Sequence, residues 1–60
     1  MKVKAVIRRL EADGWVFVRQ ESSHQTFKHP IRPEVVTVSG RLNADISPGQ
    51  LASIKRKAGW

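Results

Sequence analysis

A two-layer α+β domain is the fold class this sequence predicts: helix, strand, strand, strand, helix, with both helices on one face of a three-stranded antiparallel sheet. Three observations lead there. Apolar residues recur at the helical period near the two ends of the chain, β-branched and aromatic runs occupy its middle, and the breaks between runs fall at serines, prolines and glycine. Sixty residues make a single domain, residues 1–60. A chain of this size buries only roughly 60% of the surface that its unfolded form exposes, so the core is thin. With no cysteine, neither disulfides nor a thiolate zinc site can reinforce it. Apolar packing or a bound partner has to supply the stability.

The first element is KVKAVIRRLEAD, residues 2–13. It sets Val3, Val6, Ile7 and Leu10 at the i, i+3, i+4, i+7 spacing of one helical face, within an arc of about 100°. Lys2, Lys4, Arg8, Arg9 and Glu11 take the rest of the wheel, and Gly14 ends the helix because it enters the left-handed region without steric cost. WVFVRQ, residues 15–20, predicts a strand with apolar side chains on both faces, Trp15 and Phe17 on one and Val16 and Val18 on the other. One set is expected to meet the helices, the second to meet a partner or stay partly exposed. Phe17 and Phe27 are expected in the core, with Trp15 left open between core and surface.

ESS is a short turn and HQTFKH, residues 24–29, a second strand. PIRPE breaks it, since Pro30 and Pro33 cannot donate to a ladder. VVTVS, residues 35–39, is the third strand, and GRLNADI an irregular connection. The last helix opens with several signals at once: Ser47 as cap, Pro48 at the first helical position and Gln50 completing an S-x-x-Q capping box. Leu51, Ile54 and Ala58 form its buried seam. Lys55, Arg56 and Lys57 crowd its last turn, where positive charge complements the helix dipole, and Gly59 stops it. Trp60 closes the cap.

Eleven Lys and Arg against five Asp and Glu leave a net charge of +6, spread along the chain. Such a surface attracts polyanions, nucleic acid being the commonest, although charge alone also serves solubility. The absence of a long apolar run, a signal peptide or a lipidation motif leads to the expectation of a soluble, cytoplasmic protein without membrane attachment.

Little in the sequence offers a catalytic constellation. His24 and His29 lie five apart on one expected strand, which sends them to opposite faces, and no cysteine or carboxylate cluster completes a metal site. No metal or cofactor is therefore expected. The four glycines follow no phosphate-cradling pattern. Ser22 and Ser23 adjoin His24, but neighbours on an extended chain point apart, so a covalent serine mechanism has no support. His24 remains, either an ordinary surface histidine or a lone acid or base. Imidazole exchanges protons near neutrality, and RNA carries its own nucleophile in the 2′-hydroxyl. A protein that deprotonates that group and steadies the phosphate cleaves the chain without a cofactor. Lys28, an even step from His24 on the same strand face, and Arg19 across the turn can hold the phosphate. His29, before Pro30, reads as a strand-end residue without chemistry.

Taken together, LEADGWVFVRQESSHQTFKHP, VVTVS and ISPGQLASIKRKAG resemble the HicA (YcfA-like) toxins of bacterial and archaeal toxin–antitoxin pairs. The pieces that carry the resemblance are the helix-ending DGW, the arginine at 19, the SH at 23 and 24 and the closing L-x-x-I-x-K-x-A-G. The resemblance implies a fold like that of double-stranded-RNA-binding domains. It also implies a metal-independent mRNA endoribonuclease whose indispensable histidine, here His24, follows the first hairpin turn; Lys28, Arg19 and Ser23 are taken as the RNA- and phosphate-binding residues beside it. A HicB-type antitoxin, in a complex of higher order, would cover the active surface. A non-catalytic RNA-binding module of the same fold is the alternative. Two positions depart from the family pattern. Ser22 stands where a glycine is usual, and is expected to be strained if the turn needs positive φ. Ser39 and Gly40 stand where a proline and a histidine are frequent.

Overall fold

The computed structural model describes all residues, Met1–Trp60. Helix α1 (Val3–Ala12) leads into strands β1 (Val16–Glu21), β2 (His24–Lys28) and β3 (Val35–Ser39), and helix α2 (Pro48–Ala58) closes the chain. The strands form one antiparallel sheet in the order β1-β2-β3, so β2 is central. Both helices supply the core from one side: Val3, Val6, Leu10, Ile54 and Ala58 pack with Phe27, Val36 and Val38, joined by Trp15 and Ile46. Ile7, Leu51 and Trp60 border it half-buried. The opposite face of the sheet has no helix over it.

The helix ends are held as much by distant chain as by local signals. No side chain caps α1; instead its first N–H groups, from Val3 and Lys4, donate to the Ala44 and Leu42 carbonyls at 2.9 and 3.0 Å. The irregular 40–46 connection therefore wraps the start of α1, and a Lys2–Asp45 ion pair of 3.3 Å lies beside it. At α2 the Ser47 hydroxyl accepts from the Gln50 N–H, which is half of the expected capping box. The other half is absent because the Gln50 side chain goes elsewhere. Its Oε1 accepts from the Ser39 N–H at 2.7 Å and its Nε2 donates to the Ser39 carbonyl at 3.2 Å. That amide satisfies both backbone groups of Ser39 on the free edge of β3, in the manner of a further strand.

His29 lies just past β2 and is a structural residue. Its Nδ1 accepts from the Ile31 and Arg32 N–H groups at 3.1 and 3.3 Å, which leaves Nε2 to donate to the Asp13 carbonyl at 2.9 Å. Its ring also meets Trp15 edge-on, with centroids 5.2 Å apart. The PIRPE loop is thereby fastened to the end of α1. Replacing His29 with Phe keeps the aromatic contact but strands these backbone groups, and is expected to cost about 1–3 kcal/mol of stability in denaturant unfolding. Trp60 does more than close a cap: its Nε1 donates to Asp13 Oδ2 at 2.7 Å, and the Arg9 guanidinium lies 4.3 Å above its ring.

Phe17 departs from expectation. It stands opposite Phe27 and meets it edge-on at 6.0 Å, yet it is 47% exposed whereas Phe27 is fully buried. The cause is position in the sheet: β1 is an edge strand, and Phe17 lies outside the core that Phe27, Val36 and Val38 form with the helix residues. Trp15, just ahead of β1, is the aromatic residue of this segment that enters the core. Val16 and Val18 remain exposed.

Candidate functional site

The site follows from strand register. On β2, Gln25 and Phe27 turn toward the helices, while His24, Thr26 and Lys28 project from the uncovered face. Across the hairpin, Val16 pairs with Lys28 and Phe17 with Phe27. Continued alternation would pair Val18 with Thr26 and turn Arg19 toward the helix side. The register instead shifts between Phe17 and Arg19, so that Arg19 stands opposite Thr26, Gln20 opposite Gln25 and Glu21 opposite His24. This is a β-bulge with Val18 as the extra residue. It moves Arg19 and Glu21 onto the face that carries His24.

Three cross-strand rows result on that face: Glu21–His24–Ser39, Arg19–Thr26–Thr37 and Val16–Lys28–Val35. The first two rows line one open depression of about 400 Å³ that has no apolar residue. Arg19 Nε and Glu21 Oε1 form an ion pair along its β1 side at 3.3 Å, both side chains largely in solvent. His24 is exposed at its rim and its backbone is held between both neighbouring strands. The depression thus gathers one imidazole, one guanidinium, one carboxylate and three hydroxyl side chains. Such a set can bind a phosphodiester through charge-assisted hydrogen bonds and exchange protons with it.

Of the residues singled out in the sequence, Arg19 and His24 come together here. Lys28 shares the face but stands four residues along β2, about 13 Å from His24, and does not line the depression. Ser23 lies in the hairpin turn and lines a second depression with Gln20, Ser22, Gln25, Gly40, Arg41 and Leu42, away from the His24 set. Glu21, Thr26, Thr37 and Ser39 were not legible as a site. Even spacing from His24 marks Thr26, but only the bulge and the β3 register bring in the others.

The turn that presents His24 is two residues long, Ser22–Ser23, between the paired Glu21 and His24. Ser22 has φ 56°, whereas Ser23 is not among the residues of positive φ. Positive φ at the first central position alone is the pattern of a type II′ turn, which favours glycine there. The Gln20 amide donates to the Ser22 carbonyl at 2.9 Å and helps to hold this conformation. Ser22→Gly is expected to raise stability by about 0.5–1 kcal/mol, the left-handed penalty less the entropy of glycine, as a higher midpoint in urea.

Comparison with known proteins agrees with this architecture. A comparison with curated proteins gives no match. Among solved structures, one described as "HicA3 and HicB3 toxin-antitoxin complex" superposes with a TM-score of 0.79 at 32% identity, over 98% of this chain and 94% of the other. Residues 3–60 match the family described as the HicA toxin of bacterial toxin–antitoxin pairs, and the chain belongs to that family.

Proposed function

We propose that this HicA-family toxin is an mRNA endoribonuclease that needs no metal, with His24 as its general acid/base. The observation that carries the reading is an exposed imidazole beside a guanidinium in a polar depression, on a sheet face that neither helix covers. Cleavage begins when the RNA 2′-hydroxyl attacks the adjacent phosphorus. That hydroxyl loses a proton, the bond from phosphorus to the 5′-oxygen breaks, and the departing 5′-oxygen gains a proton. A 2′,3′-cyclic phosphate and a 5′-hydroxyl remain. Imidazole is suited to such transfers because it both accepts and releases protons near neutrality. Arg19 neutralises the charge that builds on the phosphoryl oxygens through the guanidinium N–H groups left free by Glu21. Lys28, further along the same face, holds another part of the RNA backbone.

In this reading a HicB-type antitoxin occupies the uncovered sheet face and blocks RNA in the cytoplasm, in a complex of higher order. A net charge of +6 suits an acidic protein partner as well as RNA. The structural relative, itself seen in a toxin–antitoxin complex, supports such a partner. The test is incubation of the purified toxin with mixed RNA in excess chelator. Fragments ending in cyclic phosphate and 5′-hydroxyl are expected, and the purified antitoxin should suppress them. RNA that is bound with salt-dependent affinity but stays intact would instead make the chain a non-catalytic RNA-binding module.

A further inference from the structure

We infer that Glu21 is a second catalytic residue of the proposed cleavage, accepting the 2′-hydroxyl proton while the His24 imidazolium delivers a proton to the 5′-oxygen. The inference rests on the ribonuclease reading and divides its proton transfers between two groups. One ring placed on one side of an in-line displacement serves the attacking and the departing oxygen less well than two groups do, because those oxygens lie on opposite sides of the phosphorus. The structure supplies the second group. The bulge at Val18 turns Glu21 onto the His24 face and sets the two residues directly opposite each other across the hairpin. Cross-strand neighbours have Cβ atoms about 4.5–5.5 Å apart. Their side chains form no ion pair with each other, because the carboxylate leans to Arg19 at 3.3 Å. The depression between them is open and polar.

The charged groups around the pair set the direction of transfer. Arg19 is the cation facing Glu21 from the same strand, β3 contributes only Thr37 and Ser39, and Lys28 stands two rows away. Glu21 presents to its neighbours a carboxylate paired with a guanidinium, a group of acceptor oxygens, and the imidazole opposite it, which both accepts and releases protons, is the group that can deliver one. Arg19 positions the carboxylate through Nε and offers its remaining N–H groups to the phosphate. The atoms balance. The 2′-hydroxyl proton ends on Glu21, a proton leaves His24 for the 5′-oxygen, and exchange with water restores both groups.

Two variants and two substrates test this. Glu21→Gln and His24→Ala are assayed on an ordinary oligoribonucleotide, then on one whose scissile 5′-oxygen is replaced by sulfur, whose thiolate leaves without a proton. Both variants are expected to lose at least about 100-fold on the ordinary substrate. On the sulfur substrate His24→Ala should recover most of the wild-type rate and Glu21→Gln should not. Far-ultraviolet circular dichroism of each variant should match wild type, as both positions are exposed. A Glu21→Gln rate within about threefold of wild type, beside an inactive His24→Ala, would overturn the inference while leaving the ribonuclease reading intact. Recovery of Glu21→Gln, instead of His24→Ala, on the sulfur substrate would overturn the division of roles. Wild-type protein that cleaves neither substrate would remove the underlying reading itself.

Discussion

Replacing His24 with Ala is expected to lower RNA cleavage by about 100- to 10,000-fold and to abolish growth arrest on expression. The fold should survive. His24 is exposed on the uncovered face, and exposed substitutions away from special backbone positions usually change stability by no more than about 0.5 kcal/mol. RNA affinity should also survive, since in the proposed reading phosphate attraction comes from Arg19, Lys28 and the basic helix faces, all unchanged. The decisive comparison is therefore single-turnover cleavage against equilibrium binding on the same RNA. A large loss of rate at constant affinity marks a group that acts on the reacting atoms. Equal losses of both would make His24 a binding residue, and an unchanged rate would place the chemistry elsewhere.

Phe27→Ala is expected to remove the larger part of the protein's stability at 25 °C. Phe27 is fully buried near the end of the central strand, in the core to which both helices contribute, and stands opposite Val36. Truncating a buried phenylalanine costs about 3–5 kcal/mol in lost transfer energy and unfilled space. A domain of this length has about 3–9 kcal/mol in total, at the usual stability per residue. Only ten residues are buried, so few neighbours can collapse into the gap. A large fall in the midpoint of the cooperative thermal transition would be the readout. Phe17→Ala, on the exposed flank of β1, should cost only about 1–2 kcal/mol and keep the transition. If both substitutions proved equally damaging, the edge of the sheet would be covered in solution.

The elements themselves were legible because their causes are local. The stripe of Val3, Val6 and Leu10, the Ser47–Pro48 start of α2 and the glycine stops each depend on residues within a turn or two. The strands were equally plain, their ends displaced by a single residue: β1 begins at Val16 after Trp15, and His29 follows β2. The requirement at Ser22 was also readable, since a two-residue hairpin turn demands an unusual backbone at a stated position.

What sequence could not reveal lay mostly in how separate segments pair and pack. Phe17 resembles a core residue until the strand order leaves it at an uncovered edge. Gln50 resembles half of a local cap until Ser39 offers two backbone groups eleven residues away. Lys28 looks like a neighbour of His24 because both lie on one strand face, but extended chain separates them by its own length. Arg19 and Glu21 reach the His24 face through the bulge at Val18, and strict alternation would have turned Arg19 away. Side-chain direction along a strand is a local property only while pairing stays regular. One extra residue resets it, and where that residue falls is settled by hydrogen bonds and packing between strands.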